Sequence, residues 1–315
     1  MDLNILSDII IVIISIIMLW KGADWLVDSA AEIAHSFNIS DLIIGLTIVA
    51  FGTSAPEFAV TISAAFTNQT DISIGNVIGS NIFNLGFILG GTAIIRPITI
   101  SQNLFKRDGL FLLITSALIF LLFFGINGWD PGDSFTQIEG AILFALLIGY
   151  ISFLFIKKDP PEEVHPDKAT KSSYIFFFIG LVLIVLGGHL MVNHASNIAR
   201  YLGISDWVIA VTIVAAGTSA PEFATSITAA LKGRHGIAVG NLIGSDLFNL
   251  LGVLGLAGII NPSNIAQDIF SSTFVLVLMV GLTLFMMRTF WRISRIEGFI
   301  LVSINLIRWY YDLSA

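Results

Sequence analysis

The sequence predicts an all-α integral membrane protein with ten transmembrane helices, arranged as two inverted five-helix repeats that each contain a broken helix. Composition supports this, since 56% of the residues are hydrophobic and 12% are charged, against roughly 25% charged in soluble domains. The apolar segments run to about 20 residues, the length that crosses a bilayer as a helix. The chain is also duplicated: ISDLIIGLTIVAFGTSAPEFAVTISAAF at 39–66 returns as ISDWVIAVTIVAAGTSAPEFATSITAAL at 204–231, with 19 of 28 positions identical.

Hydropathy divides the chain into ten predicted spans. They are roughly 5–36, 41–66, 71–95, 107–125, 137–156, 173–200, 206–231, 236–260, 267–288 and 294–312. The one sizeable polar break is too short for a folded domain and is predicted to be a linker. We therefore expect a first five-helix repeat over 1–156, a linker over 157–172 and a second repeat over 173–315.

Basic residues cluster at one side of this ten-span arrangement, and only Arg200 falls in a loop at the other side. The clustered residues are Arg96, Lys106, Arg107, Lys157, Lys158, Lys168, Lys171, Lys232, Arg234, Arg288, Arg292 and Arg295. The positive-inside rule then predicts a cytoplasmic linker and both termini outside, in the cell (plasma) membrane. Because five is odd, the second repeat enters upside down, an arrangement that recurs among secondary transporters.

A short motif, GTSAPE, begins at Gly52 and again at Gly217. Pro56 cannot donate a helical hydrogen bond and disfavours helix at the residue before it. The span is therefore predicted to break, with one half-helix ending near Ala50 and the next beginning around Ser54 to Pro56. The second copy predicts the same break 165 residues later.

Each predicted break carries one acid, Glu57 or Glu222. Thr53 or Ser54 is expected to cap the second half-helix, and the break is expected to free carbonyls over 49–52 toward a cation. A carboxylate at membrane depth is costly and by default marks a functional site. The alternative, a proline kink with a hydrogen-bonded acid, is disfavoured because the same costly arrangement occurs twice.

Two further matched segments, GNVIGSNIFN at 75–84 and GNLIGSDLFN at 240–249, follow the acids. Residues four apart share a helix face, which pairs Ser80 with Asn84 and Ser245 with Asn249. The glycines are expected to allow close helix packing, and the alternative for the four polar residues is interhelical hydrogen bonding alone. Asp246 stands where the first half has Asn81; we expect it to be peripheral to the site, with electrostatic tuning as the alternative.

Two carboxylates, several hydroxyls, two amides and freed carbonyls make an all-oxygen ligand set. Hard cations such as calcium prefer oxygen ligands, whereas zinc and copper favour nitrogen or sulfur. Two negative charges neutralise one divalent ion. The same ligands can instead hold sodium ions or protons, which predicts competition at a shared site.

GTSAPE in both halves, each followed by GN-x-IGS, resembles the alpha-repeats of the calcium/cation antiporter superfamily, and specifically its sodium/calcium exchangers of prokaryotic type. The resemblance spans all ten predicted helices. It implies sodium-driven calcium exchange by alternating access, with broken helices at the ion site. The implied ligands are Ala50, Thr53, Ser54, Glu57, Ser80, Asn84, Ala215, Thr218, Ser219, Glu222, Ser245 and Asn249, with Ala50 and Ala215 acting through their carbonyls.

Departures from relatives refine that implication. Some microbial and potassium-dependent members have aspartate where this chain has Asn249, so the amide disfavours potassium coupling. The proton-coupled branch has a GNxxE-like pattern in place of GTSxPE. This chain has GTSAPE, so the resemblance favours sodium coupling, and proton/cation antiport is the alternative. The large regulatory domains of animal members have no counterpart in the short linker.

Other functional classes lack their signatures. The sequence has no cysteine, no basic patch for nucleic acid, no HExxH motif and no P-loop, so an enzyme and an ATP-driven pump are disfavoured. A cation channel is a remaining rival, because broken helices also line pores. The expected partners are calcium ions, sodium ions and the lipid bilayer, with no cofactor, no nucleic acid and no obligatory protein partner.

Overall fold

The structure is a computed structural model that describes residues 3–124, 134–159, 169–204, 209, 213, 215–265 and 269–314. Most of the predicted linker lies outside these ranges. Within them the chain is almost entirely helical, as expected of apolar segments that must satisfy their backbone hydrogen bonds internally in a bilayer.

The elements follow one another in the same order in both halves. In the first half, the helices are α1 (Leu3–Ser36), α2 (Asp41–Ile44), α3 (Ala50–Thr53), α4 (Ala55–Phe66), α5 (Thr70–Phe83), α6 (Gly90–Ile95), α7 (Leu110–Phe124) and α8 (Gln137–Lys157). In the second half, they are α9 (Lys171–Tyr201), α10 (Ala215–Thr218), α11 (Ala220–Leu231), α12 (His235–Leu247), α13 (Leu254–Ile260), α14 (Ile269–Arg288) and α15 (Arg295–Ser314).

Segments of π-helix interrupt or extend several of these helices. They are π1 (Gly45–Val49), π2 (Asn84–Leu89), π3 (Leu104–Gly109) and π4 (Phe248–Val253). No sequence pattern predicted them. Single π-turns inside α-helices are frequently found at functional sites, and π2 and π4 each contain an asparagine that the sequence singles out.

Seven helices in the described part of the chain are long and apolar enough to cross a membrane, or eight if a bent helix pair counts as one span. The seven are Ile5–Ser36, Thr70–Ile95, Leu104–Phe124, Gln137–Lys157, Lys171–Tyr201, His235–Ile260 and Ile269–Arg288, and the bent pair is Asp41–Thr53 with Ala55–Phe66. Two predicted spans are missing from this set. The first part of the predicted span 206–231 lies largely outside the described residues. The predicted span 294–312 does form a helix, α15, but this helix carries charged residues near both ends.

Two short antiparallel ribbons join the halves. β1 (Ile98–Thr99) pairs with β4 (Arg292–Ile293), and β2 (Ser134–Phe135) pairs with β3 (Ser263–Asn264). Each ribbon takes one strand from each half, so both ribbons link the first half of the chain to the second.

The first helix of each half packs against the other. A Cβ atom on Gly22 of α1 would lie 2.9 Å from the carbonyl oxygen of Gly180 of α9, and one on Gly180 would lie 2.7 Å from the Gly22 oxygen. Such small residues let two membrane helices approach closely. α1 and α9 therefore form a tight pair beside the broken helices.

Candidate cation site

The first GTSAPE motif does break its helix, but later than the sequence predicted. α3 continues to Thr53, Ser54 alone is non-helical with φ −77° and ψ 9°, and α4 begins at Ala55. The two parts bend by 51°. Pro56 lies in the first turn of α4, where its missing N–H costs nothing.

Two local expectations differ from the structure: the serine cap of α4 is not formed, and the carbonyl freed by the break is not that of Ala50. Ser54 makes no side-chain capping hydrogen bond to α4. The carbonyl of Ala50 is not freed, because it accepts a hydrogen bond from the Ser54 N–H at 3.0 Å and one from Thr53 Oγ1 at 3.2 Å. Ala50 therefore retains one backbone partner and one side-chain partner.

The second motif has the same geometry. α10 ends at Thr218, Ser219 is non-helical with φ −89° and ψ 11°, and α11 begins at Ala220 without a side-chain cap. Ala215 is the first residue of α10, and the residue before it lies outside the described chain. Thr218 is 9% exposed.

The two breaks exchange hydrogen bonds across the duplication. Ser219 Oγ donates to Glu57 Oε1 at 2.8 Å, and Ser54 Oγ donates to Glu222 Oε1 at 3.0 Å. All four residues have 0% exposure. The hydroxyl of each serine therefore lies against the acid of the opposite half and makes no cap to the N–H groups of its own helix.

The second oxygen of each carboxylate has a different environment. Glu57 Oε2 and Glu222 Oε2 are buried and make no hydrogen bond within the described structure. A buried carboxylate oxygen without a partner is energetically costly. These two oxygens are therefore positioned to bind a cation.

The sequence-predicted hydroxyl ligands differ between the halves. Thr53 Oγ1 lies 3.4 Å from Ser245 Oγ, and Ser245 Oγ donates to Glu222 Oε1 at 3.4 Å. These hydroxyls are thus brought to the Glu222 carboxylate. Ser80 is buried but donates to the carbonyl of Asn76 at 2.5 Å, so it has no hydrogen bond to either acid.

Two asparagines that the sequence reading did not select hold the broken helices in place. Asn76 Nδ2 donates to Thr61 Oγ1 at 2.9 Å and to the carbonyl of Glu57 at 3.3 Å. Asn241 Nδ2 donates to Ser226 Oγ at 3.0 Å and, more weakly at 3.4 Å, to the carbonyl of Glu222. The sequence feature that could have identified these two residues is the asparagine that follows glycine in both GN-x-IGS motifs.

The predicted amide ligands lie one helical turn further along, and one of them, Asn84, contacts a third acid. Asn84 Nδ2 donates to Asp246 Oδ1 at 3.0 Å, and Asn249 Nδ2 lies 3.4 Å from Asn81 Oδ1. Asp246 has 0% exposure. The expectation that Asp246 is peripheral is therefore corrected, because it is buried in direct contact with a predicted ligand.

The ligands that this candidate site offers a cation are oxygen atoms. No group of three or more histidine, cysteine, aspartate or glutamate side chains with metal-binding geometry occurs in the described residues. The acids are instead supplemented by hydroxyl and amide oxygens, the neutral ligands that hard cations accept.

Comparison with known proteins identifies the family. The family model described as sodium/calcium exchanger protein matches residues 7–156 and 172–310. The chain is 32% identical to the sodium/calcium exchanger MaX1 of Methanosarcina acetivorans over 331 residues, which cover 93% of this chain and 95% of that protein. It is 31% identical to the inner membrane protein YrbG of Escherichia coli over 285 residues, covering 86% of each.

Solved structures give the same result. The sodium-calcium exchanger NCX_Mj, soaked with 10 mM Na+ and zero Ca2+, matches with a TM-score of 0.84 and 33% identity over 96% of this chain and 98% of that chain. Sequence and fold thus agree over nearly the whole length. The chain belongs to the sodium/calcium exchanger protein family and is a multi-pass membrane transporter of cations, not an enzyme.

Proposed function

We propose that this protein exchanges sodium for calcium across the membrane by alternating access at an all-oxygen site near the bilayer midplane. The relatives named as sodium/calcium exchangers support sodium as the counter-ion. The proposed ligands are Ala50, Thr53, Ser54, Glu57, Ser80, Asn84, Ala215, Thr218, Ser219, Glu222, Ser245 and Asn249.

The observation that carries this proposal is the reciprocal pair of bonds from Ser219 to Glu57 and from Ser54 to Glu222. Each bond orients one carboxylate oxygen and leaves the other without a hydrogen bond in the described structure. Two such oxygens, one from each half, supply the charge that neutralises one calcium ion. Sodium ions compete for the same oxygens, and this competition makes the transport an exchange.

The proposed architecture is two inverted five-helix repeats, over 1–156 and 173–315, joined by the linker 157–172. The strand pairings support it, because β1 and β3 are related by the 165-residue offset and each pairs with a strand of the opposite half. We further propose a plasma-membrane location with both termini outside and the linker in the cytoplasm, as the loop charges indicate.

The moving element in this proposal is the pair α1 and α9. These helices contribute none of the proposed ligands, and their close contact at Gly22 and Gly180 favours motion as one body. Alternating access then comes from sliding this pair past a core that holds Glu57 and Glu222, as rocking of one bundle against another does in related transporter folds.

The test is calcium uptake into proteoliposomes with imposed sodium, proton or potassium gradients. The wild-type protein is expected to take up calcium when an outward-directed sodium gradient is imposed, because sodium leaving the vesicle drives calcium entry. Glu57→Gln and Glu222→Gln should each lower calcium affinity by roughly 100-fold or more, since removing one partner of a buried ion pair costs about 3–5 kcal/mol and 1.4 kcal/mol is tenfold.

Asp71→Asn is the matched control, because it removes one negative charge from an exposed position on α5 and should leave uptake unchanged. Full uptake by either glutamine variant would exclude that glutamate from the site. Uptake driven by a proton gradient alone would favour the proton-coupled alternative. Calcium flux with no counter-ion on the far side would identify a channel.

A further inference from the structure

Asn305 is a buried polar side chain in an otherwise apolar stretch of the last helix, α15. Residues 299–307 read FILVSINLI, so the polar residues of this stretch are Ser303 and Asn305. Ser303 is partly exposed and donates to the carbonyl of Phe299 in its own helix at 2.8 Å. Asn305 is 2% exposed. A polar side chain buried in a membrane helix is costly and by default marks a functional position.

The amide of Asn305 contacts the backbone where α5 meets π2. Asn305 Nδ2 donates to the carbonyl of Ile82 at 2.8 Å. A Cβ atom on Gly86 would lie 1.4 Å from the same nitrogen. Positions 82 and 86 are four apart and share a helix face. The amide therefore binds the first of these positions and fills the space that a side chain at the second would need.

Contacts on both sides of Asn305 hold α15 in place. Toward the start of α15, a Cβ atom on Gly298 would lie 2.5 Å from the carbonyl oxygen of Gly90, the first residue of α6. Toward its end, the ring of Trp309 lies 4.8 Å from the ring of Phe87 in π2. These contacts fix the position of α15 along π2, so the Asn305 amide reaches the backbone at one defined place.

The backbone that Asn305 contacts brackets a proposed ligand. Asn84 is the first residue of π2, two positions after Ile82 and two before Gly86. A π-helix is rare and occurs mostly as a short insertion in an α-helix, so contacts from outside the helix help to keep it in place. Because the amide holds the backbone on either side of Asn84, it also sets the direction of the Asn84 side chain.

The second half supports its π-helix without such an amide. At the 165-residue offset, the residue equivalent to Asn305 is Gly140 of α8, which has no side chain to donate a hydrogen bond. A Cβ atom on Gly252 of π4 would instead lie 2.7 Å from Cδ2 of Leu147. The contact between α8 and π4 is thus aliphatic, and a change at Asn305 affects the first-half ligand.

We propose that Asn305 is a positioning residue for the cation site, because its amide holds the junction of α5 and π2 in the arrangement that presents Asn84 to the ion. This inference rests on the proposed function, in which Asn84 is a ligand. Loss of a contact that orients a metal ligand typically lowers metal affinity by about 10- to 100-fold. The alternative is that the bond only joins α15 to the bundle, which predicts a loss of stability with no loss of affinity.

Calcium binding to the purified protein would be measured with radioactive calcium in choline chloride, which gives both the affinity and the number of binding sites per chain. Asn305→Leu nearly keeps the side-chain volume and removes the donor. It should weaken calcium affinity by about 10- to 100-fold and leave the number of sites per chain unchanged. A purely structural role would lower the number of sites, through unfolded chains, at unchanged affinity. Ser303→Ala is the matched control on α15 and should bind calcium as the wild type does.

A second variant reaches the same contact from the other side. In Gly86→Ala the new Cβ displaces the Asn305 amide, so calcium affinity should fall by a similar factor. Asn305→Gly removes the amide and makes room for that Cβ, as Gly140 and Leu251 do at the equivalent positions of the second half. Adding Gly86→Ala to Asn305→Gly should therefore cause no further loss of affinity. Such non-additivity is the signature of two residues in direct contact.

Unchanged calcium affinity in either folded variant, Asn305→Leu or Gly86→Ala, would overturn the inference. Losses that multiply in the double variant would overturn it as well. If Asn305→Leu does not fold, the affinity of Gly86→Ala decides the question. A wild-type protein that binds no calcium would instead refute the proposed function, so the two failures are distinguishable.

Discussion

The two copies of the glycine pair in GN-x-IG have the same sequence, but the described residues pack closely against only the second copy. A Cβ atom on Gly240 would lie 2.8 Å from the carbonyl oxygen of Leu42, and one on Gly244 would lie 2.6 Å from that of Leu46. A Cβ atom on Gly75 or Gly79 would meet no described atom within 4 Å. α12 is thus packed tightly against α2 and π1, whereas no described residue packs closely on the equivalent glycines of α5.

This difference shows what the close contact depends on. Residues 42–49 cover the second glycine pair, and their equivalents 207–214 are described only at 209 and 213. The covering segment, and not the glycine pair alone, therefore makes the contact. Under the proposed alternating access, we expect this contact to loosen in the opposite transport state.

The largest expected effect comes from filling the close contact. Gly244→Ala should lower the free energy of unfolding by about 3 kcal/mol, the upper end for overpacking, because its Cβ would press on backbone atoms that cannot rotate away. Gly79→Ala should cost less, because no described atom lies within 4 Å of its Cβ position. Thermal unfolding in detergent measures both, and equal melting temperatures would contradict the packing difference.

An intermediate effect is expected from the two bracing asparagines. Asn241 is fully buried and also accepts a hydrogen bond from Thr53 Oγ1 at 2.9 Å, whereas Asn76 is only half-buried. At about 0.6 kcal/mol per interhelical hydrogen bond, Asn241→Ala should cost roughly 2 kcal/mol and Asn76→Ala roughly 1 kcal/mol. Chemical unfolding in mixed micelles gives both values, and a larger cost at Asn76 would reverse the comparison.

The smallest effect concerns an ion pair between the two halves whose lysine has no charged equivalent at the 165-residue offset. Lys232 Nζ lies 2.5 Å from Asp24 Oδ1 and 2.7 Å from Asp28 Oδ2, and its sequence equivalent is Thr67. These side chains are partly exposed, so Lys232→Met should cost less than about 1 kcal/mol. High choline chloride should remove the difference by screening.

Thr67→Val is the control for that experiment. Thr67 Oγ1 donates only to carbonyls of its own helix, at 2.9 Å and 3.2 Å. Its replacement should change stability little, and equally at low and high salt. If Lys232→Met lowered the free energy of unfolding equally at low and high salt, packing of the lysine side chain, and not its charge, would join α11 to α1.

Much of the site was predictable because its signals are local. Pro56 cannot continue a helix that precedes it, and Glu57 in an apolar span marks a candidate site whatever surrounds it. Because the two repeats align at a constant offset of 165 residues, each inference for the first half also applied to the second half. Asp246 was misjudged because a single acid beside Ser245 carries no local indication of the side it faces.

By itself, the sequence determined that this is a membrane protein with two copies of an acid-bearing helix break, since hydropathy, proline and duplication act through the chain itself. The tertiary structure decided which partners the polar groups take. Ser54 donates to Glu222 of the other half and does not cap its own helix, and Gly244 packs against the backbone of Leu46. The physical reason is that these contacts join residues more than 150 positions apart, where no sequence period specifies distance or orientation.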